Sequence, residues 1–126
     1  MPINVMIIED DLLSMAMLQD LLEDHFPEVN IVGMAQTVKE SLELLGSNKI
    51  DLLFLDIELP DGKGFDILAG IEKTDFGVII TTSYLTYAGC GNISNLVEFL
   101  VKPVSLDALK SAMRRYDQQL RIQPNH

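Results

Sequence analysis

A chain of 126 residues, 48% hydrophobic and 22% charged, is one domain in length and apolar enough to bury a core, which excludes a disordered tail or a multidomain array. Its 19 acidic and 9 basic residues leave a formal charge of −10, the wrong sign for nonspecific attraction to nucleic-acid phosphate, so direct DNA binding by these residues is disfavoured. No apolar run approaches the roughly 18 residues of a membrane span, no positive start precedes an apolar stretch before Lys39, and the single cysteine, Cys90, can form neither an internal disulfide nor a thiolate zinc site. The expectation is one cytoplasmic domain over residues 1–126, with a core from 3 to 119 and residues 120–126 as a tail or the start of a linker.

Five short apolar runs alternate with amphipathic stretches, the rhythm of an α/β fold in which a parallel sheet is covered by helices on both faces. The predicted strands are Ile3 to Ile8, Val29 to Met34, Leu52 to Leu55, Val78 to Thr81 and Phe99 to Val101. The first helix is predicted over Leu13 to Asp24, with Met17, Leu18, Leu21 and Leu22 at helical spacing and Pro27 as its stop. Thr37-Val38-Lys39-Glu40 reads as a capping box opening a second helix, with Val38, Leu42 and Leu45 on its inner face and Gly46 ending it in the left-handed conformation. A short third helix is predicted over Phe65 to Ile71. Residues 84 to 96 are a poor fourth helix, since Gly89, Gly91, Asn92 and Ser94 all disfavour it, and they are expected to be frayed. Ser105 caps a last helix whose Leu106, Leu109, Met113, Tyr116 and Leu120 form a stripe suited to packing on the sheet. Five of the nine cations lie from Lys102 onward, where a helix C-terminus favours them.

Ligands of open parallel sheets bind beyond the carboxyl ends of the strands. Glu9, Asp10 and Asp11 follow the first strand, Asp56 the third, Thr82 and Ser83 the fourth, and Lys102 and Pro103 the last. Each alone is read most simply as a cap or a solvated turn, but an apolar run such as Leu52 to Leu55 has no structural need of an aspartate at its end. Carboxylates gathered in one crevice repel unless a cation joins them, and an all-oxygen site suits Mg²⁺. Glu9, Asp10 and Asp56 would share that ion, which offsets charge on an incoming phosphoryl group while Lys102 and a hydroxyl hold its other oxygens. Aspartate can attack phosphorus to form an acyl phosphate. Asp56, central where Glu9 and Asp10 form an adjacent pair, is the predicted acceptor.

These residues carry a family resemblance. Val5-Met6-Ile7-Ile8-Glu9-Asp10-Asp11, Asp51 to Phe65, Ile79 to Tyr84 and Phe99-Leu100-Val101-Lys102-Pro103 occur in the order and at the spacing of the receiver domain of two-component response regulators, which the chain resembles from residue 3 to about 119. The resemblance implies a single (βα)5 flavodoxin-like, doubly wound sheet of strand order 2-1-3-4-5 and phosphoryl transfer from a histidine kinase or phosphotransfer protein onto Asp56 with Mg²⁺. It places Glu9 and Asp10 on the acidic metal pair, the Glu58 carbonyl on the backbone metal ligand, Thr82 on the switch hydroxyl, Lys102 on the phosphate-binding lysine and Phe99 on the aromatic switch. It further implies a resting ion pair between Lys102 and Asp56, a cis bond to Pro103, and output or homodimerisation through the face of the fourth helix, fifth strand and fifth helix. Phe26-Pro27-Glu28, Ile31-Val32-Gly33 and Asp56 to Pro60 look closest to receivers that precede a LytTR-type DNA-binding domain; such an effector either follows in a longer chain or is absent from a single-domain regulator.

Two rivals share part of this pattern. An aspartate-nucleophile phosphatase of the haloacid dehalogenase type needs a second aspartate where Glu58 stands and draws its metal acids from late in the chain. A pseudo-receiver, a binding module that signals without phosphate, has no need of the full set Glu9, Asp10, Asp56, Thr82 and Lys102. Lys63 lacks the surrounding pattern of a nucleotide-binding loop and reads as a turn residue, and His25 and Cys90 have no partners that suggest chemistry.

Overall fold

The computed structural model describes residues 2–69, 75–83 and 95–122, the last three without their side chains. Among them the order is β1 (Ile3–Ile8), α1 (Leu12–His25), β2 (Val29–Ala35), α2 (Val38–Ser47), β3 (Leu52–Asp56), the two-residue strands β4 (Glu58–Leu59) and β5 (Gly62–Lys63), α3 (Gly64–Ala69), β6 (Gly77–Thr82), β7 (Leu96–Val101) and α4 (Leu106–Ile122). The main sheet is parallel with order β2-β1-β3-β6-β7. With the small antiparallel pair β4–β5 set aside, this is the expected 2-1-3-4-5. No helix among the described residues is long and apolar enough to cross a membrane.

Strand side chains alternate between faces, so consecutive residues feed two separate cores. Val5, Ile7, Leu52, Phe54 and Ile79 pack with Leu18 and Leu22 of α1 and with Leu109, Met113 and Tyr116 of α4. Met6, Ile8, Leu53, Leu55, Val78 and Ile80 pack on the other face with Ile67 of α3, against which Leu44 and Leu45 of α2 also lie. Continuous apolar runs, rather than alternating ones, are what a strand covered on both faces requires.

Several helix details differ from the sequence reading. Met15, not Met17, enters the core from α1, and Met17 is exposed. Helix α2 runs through Gly46 to Ser47, with Asn48 as an extended C-cap, so Gly46 is not a left-handed terminator; Gly62 alone has positive φ among the described residues. Its inner face carries Ser41, Leu44 and Leu45, while Leu42 points outward. Buried Ser41 satisfies its hydroxyl on the Thr37 carbonyl at 2.6 Å, which is how a polar residue holds a position that apolar counting assigned to Leu42. Ser105 caps α4 as expected, its Oγ accepting from the Ala108 amide at 3.1 Å. Residues 84–94 of the doubtful fourth helix, and residues 70–71 at the predicted end of the third, lie outside the described residues, while Leu96, placed at the end of the doubtful helix, instead opens β7 three residues before the predicted Phe99.

Candidate functional site

After β1 the chain turns to β2 on one side, and β3 lies on the other, so strand order reverses between β1 and β3 and opens a crevice beyond their carboxyl ends. Ile8 lies beside Leu55 in register, which sets the next residues, Glu9 and Asp56, at the floor of that crevice. Glu9 is fixed by its amide, which donates to the Ala35 carbonyl at 3.0 Å. The β6–β7 pairing continues one step past the strands through the Lys102 amide and the Thr82 carbonyl at 2.8 Å, which sets the lysine beside Thr82. The Lys102–Pro103 bond is cis, as the resemblance implied.

Ligand atoms of Glu9, Asp10 and Asp56 all lie within 4.8 Å of one another. Lys102 Nζ sits 2.7 Å from Glu9 and 3.1 Å from Asp56, with only 15% of its side chain exposed and the two acids at 5% and 6%. The Asp56 pair is the one expected; the shorter Glu9 pair is new. Burial pushes the Glu9 carboxyl up, from an ordinary 4.5 to about 7, and the hydrogen bond and charge of Asp56 add to the rise against the opposing pull of Lys102 and the Asp11 amide. Burial draws the Lys102 ammonium down, but its bonds to Glu9 and Asp56 outweigh this and leave it raised.

Asp10 is exposed, while Thr82 is buried at the end of β6. Asp10, Asp56, Glu58, Thr82 and Lys102 line one cleft of about 510 Å³, with Leu13, Met17 and Pro103 as its apolar side. The Glu58 amide reaches Asp56 Oδ1 at 3.3 Å, so the two residues after the acceptor strand fold back on it. Phe99 stands apart: it is 37% exposed on β7 and does not line the cleft. Lys63, read as a turn residue, lies in β5 opposite Glu58 and pairs with its carboxylate at 2.7 Å on the surface.

Four contacts in the surrounding loops had no clear signal in the sequence. Asp11 caps α1 by accepting from the Ser14 amide at 3.0 Å and hydroxyl at 2.7 Å; these two bonds hold its carboxyl below the usual range. Asp61 accepts from the Val38 amide at 2.7 Å and the Lys39 amide at 3.2 Å, and the Val38 bond, the larger cause, likewise lowers it. In the capping box of α2, Thr37 accepts from the Glu40 amide as predicted, but Glu40 reaches the amide of Gln36, one residue earlier than the standard box. Gly64 passes so close to the Asp56 carbonyl that a Cβ there would overlap it. Sequence separation hides the Asp61 and Gly64 contacts, at which only the Asp-Gly turn and the paired glycines around Lys63 hint, whereas the Asp11 and Glu40 contacts are local.

Three carboxylates against one ammonium leave an excess of negative charge in a half-closed cleft, a donor set that fits a hard divalent cation bound through oxygen. The sequence profile of the response regulator receiver domain matches residues 5–114. The chain belongs to that family. This receiver is 31% identical over 123 residues to the sensory transduction protein LytT of Bacillus anthracis, covering 96% of the chain and 50% of that protein. It is 28% identical over 124 residues to the transcriptional regulatory protein CitT of Bacillus subtilis, covering 95% and 54%. The receiver therefore spans about half the length of these curated relatives. Its fold resembles those of the anti-anti-sigma factor PhyR of Bartonella quintana (TM-score 0.84, 24% identity, 98% of this chain and 51% of that one) and the response regulatory domain of protein mrkE of Klebsiella pneumoniae (0.83, 23%, 95% and 99%).

Proposed function

We propose that these residues form one receiver domain that, in the cytoplasm, takes a phosphoryl group onto Asp56 from a histidine kinase or phosphotransfer protein, with Mg²⁺ as its cofactor. The observation that carries the reading is the convergence of the Glu9, Asp10 and Asp56 carboxylates, within 4.8 Å, around a cleft closed by Lys102. Glu9, Asp10, Asp56 and the Glu58 backbone carbonyl would hold the ion. When bound, it offsets the negative charge of the phosphoryl oxygens. Asp56 supplies the nucleophilic oxygen: a phosphorus–oxygen bond forms to its carboxylate as the bond to the donor breaks, and the donor leaves with the electron pair and takes up a proton. Lys102 exchanges its carboxylate partners for a phosphoryl oxygen, and the Thr82 hydroxyl takes another. The new group carries roughly 1.5 to 2 negative charges, which draws Thr82 toward it and lets exposed Phe99 turn inward. That movement alters the surface through which the receiver signals or pairs with a second copy. The net charge of −10 gives these residues themselves no part in binding DNA.

Incubation with a small phosphodonor such as acetyl phosphate tests the reading. The protein should gain one acid-stable, base-labile phosphoryl group in the presence of Mg²⁺, and Asp56→Asn, folded but unable to form the acyl phosphate, should gain none. Continuous release of phosphate would indicate a phosphatase, and no labelling of the wild type a pseudo-receiver; undiminished labelling of Asp56→Asn would overturn the acceptor assignment.

A further inference from the structure

Between the end of β1 and the first turn of α1, Glu9 and Asp10 must hold one geometry for metal binding, yet Asp10 is exposed. Glu9 is anchored through its amide and Asp11 through its cap on α1. Asp10 lies between them, and the orientation of its carboxylate depends on the peptide group that joins it to Asp11. Both ends of that peptide group are held. Its N–H, from Asp11, donates to Glu9 Oε2 at 3.1 Å. Its carbonyl, from Asp10, accepts from the side-chain amide of Gln36 at 3.3 Å.

Gln36 comes from a different loop and is itself restrained. Its backbone N–H donates to Glu40 Oε1 at 3.1 Å, the displaced arm of the α2 capping box, and Thr37 caps the helix immediately after it. The same first turn of α2 also donates its Val38 and Lys39 amides to Asp61, in the turn between β4 and β5 that follows the acceptor strand. The N-terminal turn of α2 thus ties the loop carrying Asp10 to the loop following Asp56, although α2 contributes no group to the cleft. We propose that Gln36 is a positioning residue for the Mg²⁺ site, its side-chain amide fixing the Asp10–Asp11 peptide and through it the Asp10 carboxylate. The inference rests on the metal reading above. Losing one neutral hydrogen bond that preorganises a ligand corresponds to a roughly three- to tenfold loss of affinity.

Two measurements on the unphosphorylated protein test it, with Gln36→Met, which keeps the length without the donor, and Gln36→Ala as a second variant. Calorimetric titration with Mg²⁺ should show binding weakened about three- to tenfold in both, with the melting temperature of the metal-free protein little changed. In the metal-free protein, the ¹⁵N resonance of Asp11, which shares its peptide group with the Asp10 carbonyl, should move upfield when that carbonyl loses its donor, a signature that a general structural role would not give. Unchanged Mg²⁺ affinity in the variants, or weakened affinity with an unmoved Asp11 resonance, overturns the positioning role alone. A wild-type protein that takes up no Mg²⁺ removes the metal reading and this inference together.

Discussion

Glu9 illustrates how much a single residue's role depends on its neighbours. As the first of an acidic run it reads as one of two equivalent metal ligands, but the fold buries it beside Asp56 and brings Lys102 to 2.7 Å. Its carboxyl is raised from 4.5 to about 7, chiefly by burial. Between those values the unfolded chain loses the proton while the folded protein keeps it, so stability of the metal-free protein should fall as pH rises from about 4.5 to 7, by at most about 1.4 kcal/mol per pH unit. Urea denaturation across that range should show the slope, and Glu9→Gln should flatten it. Mg²⁺ binding near neutral pH should release a fraction of a proton, detectable as a dependence of calorimetric heat on the buffer's ionisation enthalpy, because a ligand carboxyl must be ionised to bind. The sequence placed Asp56, Thr82 and Lys102 correctly at strand ends because Asp56 and Lys102 directly follow apolar runs and Thr82 follows one after a single threonine. It was silent on the Glu9–Lys102 pair, whose members are 93 residues apart in the sequence and meet only when β1 and β7 lie in one sheet.

At the scale of elements, two glycines that look alike in the sequence have opposite roles. Gly46, expected to end α2, sits inside it, and a Cβ there meets nothing within 4 Å. Gly46→Ala should stabilise the protein by about 0.5 to 1 kcal/mol, since alanine loses less conformational freedom on entering a helix. Gly64 opens α3 where its amide donates to the Ile57 carbonyl at 2.6 Å and its Cα faces the Asp56 carbonyl. A methyl group there has backbone on one side and Leu55 at 3.1 Å on another, so Gly64→Ala should destabilise by about 1 to 3 kcal/mol and displace Asp56, slowing phosphorylation as well. Chemical denaturation of both variants checks the pair of signs. Helix existence and the capping of α2 and α4 were legible from local spacing and the Thr37 and Ser105 signals. The inner face of α2 was not, because it turned on a buried serine bonded within its own helix.

Across the whole molecule, one sheet separates two cores, and the strands contribute alternate residues to each. Ile7, from β1, belongs to the core under α1 and α4, and Ile67, from α3, to the core on the other face of the sheet, and both are fully buried. Ile7→Val and Ile67→Val should each cost about 0.5 to 1.5 kcal/mol and, having no shared partners, should add to within about 0.5 kcal/mol in the double variant. Coincident fluorescence and circular-dichroism transitions would show that the two cores unfold as one unit. The α/β class, the five strands of the main sheet and the residues at their carboxyl ends followed from the sequence alone, because apolar run length, helical spacing and the polar residue ending each run are properties of neighbours along the chain; the two-residue strands β4 and β5 and the start of β7 at Leu96 did not. The resemblance then supplied the strand order that the sheet bears out. What only the tertiary structure decided are the contacts between distant segments: the lysine shared by two acids, the aspartate that caps a helix 23 residues away, and the glutamine amide on the Asp10 carbonyl. Each depends on which strand ends become neighbours and on how a loop folds over them, and neither is encoded in local periodicity.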